Sequence, residues 1–210
     1  MNPDGSAVRP LIRGYGTNAM PVWSPDGGKL AFHSNRSGSF EVYVLDVLDG
    51  EESTRHLPGT DGSDIFPDWS PDGKRLVFSS LHDGQFQLCV MDIDGGNVRQ
   101  LTSGPRGVIR PAWSPDGTRI VFVAKEQQTT SLYIVDADGR NLRTLTDATT
   151  NDSDPAWLPD GSGIVFASDR DGNFELYLMD TDGANIRRLT YNPGDDMAPD
   201  WRPWGAKRTG

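Results

Sequence analysis

The chain has 210 residues and a mass of 23.0 kDa. Its 20 Lys and Arg against 30 Asp and Glu give a formal net charge of -10, which disfavours binding to a nucleic-acid backbone or to an anionic membrane surface. Mean hydropathy is -0.53, and no apolar run approaches the roughly 20 residues that cross a bilayer, so membrane insertion is not expected. Cys89 is the only cysteine, which excludes an intrachain disulfide and a cysteine-rich metal site.

A repeat of about 44 residues organises the chain. Its marker is a tryptophan that follows a proline by two positions, and successive markers are 46, 44, 44 and 44 residues apart. The five markers are Trp23, Trp69, Trp113, Trp157 and Trp201. Ser-Pro-Asp-Gly directly follows the first three. This run predicts a tight turn, because proline fixes φ and glycine accepts a positive φ.

Further aromatic columns keep the same frame. One column, nine residues after the tryptophan, holds Phe32, Phe78, Phe122 and Phe166. A second, twenty residues after it, holds Tyr43, Cys89, Tyr133 and Tyr177. Around Trp113 the pattern of β-branched and apolar residues predicts four short strands, at about 109–113, 119–123, 132–135 and 142–145.

Four antiparallel strands in a repeat of this length are typical of a β-propeller blade. We therefore predict an all-β propeller in a single domain, 1–210, with four complete four-stranded blades and a split partial blade. The complete blades are predicted at 18–58, 64–103, 108–147 and 152–191, and the partial blade from 1–13 and 196–210. A lone sheet exposes both faces, so we expect the aromatic columns, including Trp23, Trp69, Trp113 and Trp157, to be buried between adjacent blades.

These motifs resemble those of a known family. The pattern P-x-W-S-P-D-G, an apolar strand ending in Phe, and then S-x-R-D-G-N-F-E-L-Y is similar to the TolB-type propeller repeat, a WD-repeat-like propeller. The best copy spans 154–190 and includes Ser168-Asp169-Arg170-Asp171-Gly172-Asn173. The resemblance covers essentially the whole chain.

The resemblance implies a bacterial, non-catalytic scaffold that binds a protein or peptide at the mouth of its channel. It also implies a ring of six blades, of which this chain would be an arc, and a periplasmic or otherwise extracytoplasmic location. The N-terminal residues show no secretion signal, so the cytoplasm stays open as the alternative. The same repeat occurs in propellers of prolyl-oligopeptidase-like peptidases. A substrate-gating propeller of such a peptidase, or a propeller lyase, is therefore the alternative function, and the flanking coding sequence would discriminate.

No catalytic or cofactor-binding residue is predicted. The three histidines, His33, His56 and His82, fall at unmatched repeat positions, which disfavours a zinc site. The nucleophile motif G-x-S-x-G is absent from the sequence.

A column of polar residues precedes each predicted innermost strand. Five residues before each tryptophan it reads Asn18, Asp64, Val108, Asp152 and Asp196, with Asp154 and Asp195 close by. Side chains at this position should gather at one channel mouth and attract a cation or a cationic peptide. Oxygen ligands favour calcium, so we predict a weak calcium site at Asp64, Asp152 and Asp196, with Asn18 as a neutral member. The alternative, that these side chains satisfy loop backbone groups, stays open.

The two ends of the chain predict how the ring closes. Residues 1–13 offer an outermost strand and 197–204 an innermost one, while the two strands that should join them are missing or truncated. Such a gap leaves unpaired backbone edges. We predict that the chain is an arc of a larger ring or completes itself by association. A monomer with a defective fifth blade is the alternative.

Overall fold

The protein forms four separate antiparallel sheets of four strands each. The structure is a computed structural model and describes residues 5–14, 16–104, 107–126 and 128–200, with the side chain of Glu126 excepted. Every sheet is a simple meander in which consecutive strands pair. The prediction of an all-β propeller built from four-stranded blades is confirmed.

The strands of the four blades follow one another in chain order. The first blade contains β1 (Asn18–Trp23), β2 (Lys29–Ser34), β3 (Glu41–Asp46) and β4 (Arg55–His56). The second contains β5 (Asp64–Trp69), β6 (Arg75–His82), β7 (Gln85–Asp92) and β8 (Arg99–Gln100). The third contains β9 (Val108–Trp113), β10 (Arg119–Glu126), β11 (Thr129–Asp136) and β12 (Arg143–Thr144). The fourth contains β13 (Asp152–Trp157), β14 (Gly163–Ser168), β15 (Glu175–Asp180) and β16 (Arg187–Arg188).

Helix is nearly absent from the described residues, where one short 3-10 helix, Gly50–Ser53, precedes β4. No helix in the described part of the chain is long and apolar enough to cross a membrane. The fourth strands are only two residues long, which is shorter than the predicted segment 142–145.

The first strands of neighbouring blades lie beside one another, so β5 contacts both β1 and β9, and β9 contacts β13. We call these four the inner strands. The hydrophobic core lies between the blades: Val77 and Leu88 of the second blade pack with Ile120 and Phe122 of the third. The second and third blades therefore bury their two apolar faces against their two neighbours.

Three of the four repeat tryptophans in the described residues are buried as predicted, because each packs against the blade before it. Trp69, Trp113 and Trp157 are only 5%, 6% and 7% exposed. The indole nitrogen of Trp69 donates to the carbonyl oxygen of Val22 in β1, at 3.2 Å. The prediction is wrong for Trp23, which is 57% exposed. Trp23 belongs to the first blade, and the described residues contain no complete blade before it.

The N-terminal segment imitates the end of a blade without forming a strand. Gly5 and Ala7 have φ values of 82° and 53°, close to the 88° and 55° of Gly139 and Asn141 at the corresponding places in the third blade. Leu11 packs against the core of the first blade. No strand is formed within 5–14 or 191–200, so the predicted partial blade is not seen in the described residues. Its remaining parts, 1–4 and 201–210, lie outside them.

Arginines on the fourth strands tie each blade to the next. Nη2 of Arg99 donates to the carbonyl oxygen of Ala137 at 2.8 Å, and Nη2 of Arg143 donates to that of Thr181 at 2.9 Å. Arg55 makes the equivalent contact with Ile93 at 2.6 Å. These bonds join neighbouring blades in series on the side of the fourth strands.

Candidate functional site

The inner strands line a widely open cavity of about 570 Å³, which we call the central cavity. The side chain that precedes the proline of each repeat lines this cavity. These five residues, which we call the pre-proline column, are Met20, Phe66, Arg110, Asp154 and Ala198. Equivalent positions of the repeat thus bring an apolar, an aromatic, a cationic, an anionic and a small side chain to one place.

The backbone presents this column by a repeated irregularity. All five residues have left-handed backbone, with φ between 50° and 54°. Pairing of the inner strand with its neighbour shifts register here, for example between Ile65 and Asp68 in β5. The proline that follows has no N–H to continue the ladder, and left-handed backbone is unfavourable for any residue with a Cβ. Strain of roughly 1–3 kcal/mol per residue at such positions is a feature of functional sites.

An ion pair joins two members of the column across neighbouring blades. Nη1 of Arg110 in β9 contacts Oδ1 of Asp154 in β13. The side chain of Asp154 is largely buried, and its carboxylate also accepts a hydrogen bond from Ser153 Oγ at 2.7 Å. Arg110 lies over the ring of Phe66, with 5.6 Å from its guanidinium carbon to the ring centroid. Burial lowers the pKa of Arg110 from its usual value without removing its charge at neutral pH.

Phe66 is held in place from behind by a buried histidine. The backbone N–H of Phe66 donates to Nδ1 of His33 at 3.2 Å, and the two rings meet edge to face at 5.6 Å. Burial lowers the pKa of His33, which favours the neutral ring that this acceptor role needs. The first blade therefore fixes an aromatic side chain that the second blade presents.

Asp68 lines the same cavity and bridges two inner strands. Its Oδ2 accepts the backbone N–H of Trp113 at 2.8 Å. Burial raises the pKa of Asp68 to about 6, and the hydrogen bonds that it accepts only partly oppose this. At neutral pH the carboxylate is ionised for the most part, and it protonates in mildly acidic solution.

The predicted column of channel-mouth carboxylates lies elsewhere. Asp64 and Asp152 are fully buried inside their own blades. Asp64 accepts hydrogen bonds from Thr60, with 2.9 Å to its hydroxyl group. Asp152 pairs at 3.3 Å with Arg170, whose guanidinium lies over the Tyr177 ring at 4.7 Å. Asp64 therefore satisfies loop groups of Thr60, whereas Asp152 pairs with the side chain of Arg170.

The other predicted site residues are dispersed as well. Asn18 accepts a hydrogen bond from Arg36 at 2.8 Å, Asp195 accepts the N–H of Phe174 at 3.0 Å, and Asp196 accepts from Asn192 at 2.7 Å. Of the predicted ligand residues only Asp154 lines the central cavity.

The predicted calcium ligands are therefore not brought together in the structure. Within the described residues no group of three or more His, Cys, Asp or Glu side chains could hold a metal ion. One buried oxygen of the predicted ligands, Asp152 Oδ2, has no hydrogen-bond partner among the described residues. The calcium site stays a prediction, and melting curves recorded with and without calcium would test it.

The pre-proline column was not singled out from the sequence, although a signal for it exists. The proline two residues before each tryptophan is invariant across the five repeats, whereas the residue before it differs every time. A variable position beside a fixed one, on the innermost strand of every blade, is what a binding surface on a repeated scaffold requires.

Comparison with known proteins agrees with this architecture. The family model of the TolB beta propeller domain matches residues 5–109 and 103–208. A protein TolB homolog from Chlorobium luteolum is 39% identical over 51 residues, which cover 24% of this chain and 12% of that protein. The chain thus spans a small part of this curated relative.

Solved structures give the same result. TolB from Acinetobacter baumannii superposes with a TM-score of 0.76 at 28% identity, over 90% of this chain and 47% of that one. A putative TolB from Agrobacterium tumefaciens gives a TM-score of 0.73 at 28% identity, over 84% of this chain and 68% of that one. A solved puromycin hydrolase and two solved peptidase structures share the fold at 22% identity or less. The chain belongs to the TolB beta-propeller domain family.

Proposed function

We propose that this protein is a non-catalytic binding scaffold that takes up a segment of a protein or peptide in the central cavity. The observation that carries the proposal is the pre-proline column, in which the four inner strands and the segment around Ala198 bring five chemically different side chains to one space. A repeat whose only task were packing would have no need for this difference.

The size and the lining of the cavity support a peptide ligand. Binding cavities for compact ligands measure roughly 300–1,000 Å³ and combine apolar walls with a few fixed polar groups. Here the walls are Met20, Phe66 and the repeat prolines, and the polar groups are Arg110, Asp154 and Asp68. Because the inner strands are held by the blades behind them, the ligand meets a preformed surface.

Family membership supports the same class of function and a periplasmic location, which we propose for this chain. The peptidase-gating alternative has only a shared fold behind it. None of the groups that line the cavity within the described residues is arranged as a nucleophile with its base.

Selection from a displayed library of short random peptides would test the proposal. We expect the selected peptides to bind the purified protein, and Phe66→Ala to weaken their binding by about tenfold, because it removes the aromatic wall. Leu48→Ala is the matched control, since Leu48 is 89% exposed and lies outside the cavity. Failure to enrich any peptide, or equal losses in the two variants, would contradict the proposal.

A further inference from the structure

We infer that Arg110 is a carboxylate anchor in the central cavity, and that the segment bound there carries a carboxylate beside an apolar or aromatic group. The inference deepens the proposed function and rests on it, because it names the chemistry that the pre-proline column would recognise.

The guanidinium of Arg110 is oriented from two sides. Asp154 engages Nη1, and the guanidinium carbon lies over the Phe66 ring. Nε and Nη2 have no hydrogen-bond partner in the part of the chain that the structure describes. A planar guanidinium held in this way offers donors in a fixed fork, which matches the two oxygens of a carboxylate.

Of the two ion-pair partners, the cation is the one presented to a ligand. The side chain of Arg110 is 34% exposed, whereas that of Asp154 is 7% exposed. A cationic ligand would have to reach a carboxylate that is already buried, paired with Arg110 and hydrogen-bonded to Ser153. An anionic ligand meets a cation with donors to spare, in a partly desolvated place where a charge-assisted hydrogen bond is stronger than in water.

The other acidic groups that line the cavity do not offer a site for a cationic ligand either. Asp68 uses Oδ2 to accept the N–H of Trp113, and Asp200 lies at the exposed rim with an interaction of its own. Arg110 is the one cationic side chain among the described residues that line the cavity.

The order of the pre-proline residues along the inner strands indicates where the apolar group of the ligand would lie. Met20, Phe66 and Arg110 lie on the consecutive inner strands β1, β5 and β9. Met20 is 43% exposed, which is high for a large apolar side chain. An apolar group of the ligand would therefore cover Met20 and Phe66 while its carboxylate reaches Arg110.

Three small probes would test the anchor by NMR of the arginine Nε–H groups in the intact protein. N-acetyl-phenylalanine carries a terminal carboxylate, N-acetyl-aspartyl-phenylalaninamide carries a side-chain carboxylate, and N-acetyl-phenylalaninamide carries none. We expect at least one of the two carboxylates to shift the Arg110 resonance and to bind about tenfold more tightly than the neutral amide. Which of them binds better identifies the source of the carboxylate in the natural ligand.

Variants of Arg110 complete the test. Arg110→Met should abolish the preference for the carboxylate, and Arg110→Lys, which keeps the charge but loses the fork, should reduce it. The lysine variant also keeps a partner for buried Asp154 if the methionine variant folds poorly. Arg140→Met is the control, since Arg140 is a surface arginine of the same blade with an 83% exposed side chain.

The outcomes separate the inference from the proposed function. If the neutral amide binds as tightly as both carboxylates, or Arg110→Met leaves their preference unchanged while Phe66→Ala weakens binding, the anchor is wrong and the binding cavity stands. If neither the probes nor the displayed peptides shift any resonance of the cavity residues, both fail.

Discussion

At the scale of single residues, the repeat tryptophan is buried in one blade and exposed in another. Trp113 is 6% exposed and Trp23 is 57% exposed, although both stand between a proline and the same turn sequence. Trp113→Ala should lower the free energy of unfolding by about 3–5 kcal/mol, because it empties a space between two blades. Trp23→Ala should cost less than about 1 kcal/mol. Urea denaturation of both variants would check this, and equal losses would contradict the interblade role.

Asp68 makes a prediction about pH. Its pKa of about 6 in the folded protein lies above the value of roughly 4 expected in the unfolded chain. Between these values the folded state binds a proton that the unfolded state releases. This group therefore stabilises the fold increasingly as the pH falls through that window, and the gain is lost as the pH rises through about 6.

Asp68→Asn removes this proton while keeping an oxygen for the N–H of Trp113. Unfolding in urea at about pH 7 and about pH 5 should show the wild type gaining stability relative to the variant in acid. Groups such as Asp116, whose pKa a hydrogen bond from Ser114 lowers to about 2, act alike in both proteins and cancel. A difference that does not change with pH would refute the raised pKa.

At the scale of elements, the turn after each of the first three inner strands depends on one serine hydroxyl group. Ser114 Oγ donates to Asp116 at 2.6 Å and accepts the N–H of Arg119 at 2.9 Å. Ser114→Ala should cost about 1–3 kcal/mol, because it removes one partner of a part-buried network and leaves others unpaired. Exposed Ser162, in the corresponding turn of the fourth blade, is the control for thermal melting. Comparable losses from Ser162→Ala would argue against the role of Ser114.

The strands were predictable because their signal is repeated, whereas the left-handed bulges that present the pre-proline column were not. Proline two residues before tryptophan recurs five times, which indicates the inner strand but not the left-handed residue before it. Asp152 looked like a channel ligand because its place at the start of β13 is regular. Its partner Arg170 follows 18 residues later, and only the paired strands β13 and β14 bring the two together.

At the scale of the whole molecule, the outward face of the first blade is covered over Phe32 and Tyr43 but leaves Trp23 exposed. Trp23 occupies the place that a neighbouring blade covers elsewhere in the repeat, and it is the most exposed repeat tryptophan among the described residues. We expect the 210-residue chain to associate through this face. Light scattering after size-exclusion chromatography should show a mass that rises with concentration, and Trp23→Ser should reduce it. A stable monomer that melts cooperatively would contradict this expectation.

Each blade contacts the blade before it and the blade after it through different residues, which affects how the number of repeats can change. Each repeat reaches back with its tryptophan, as Trp157 does to the carbonyl oxygen of Ala112 at 3.1 Å, and forward with its arginine, as Arg143 does to that of Thr181. If one repeat is duplicated or lost in frame, the blades that become neighbours still carry the tryptophan and the arginine that make these two contacts. Deletion of 108–151 should give a shorter protein in which Arg99 contacts Thr181. Cooperative unfolding of this protein would show that the fold tolerates a change in the number of its blades.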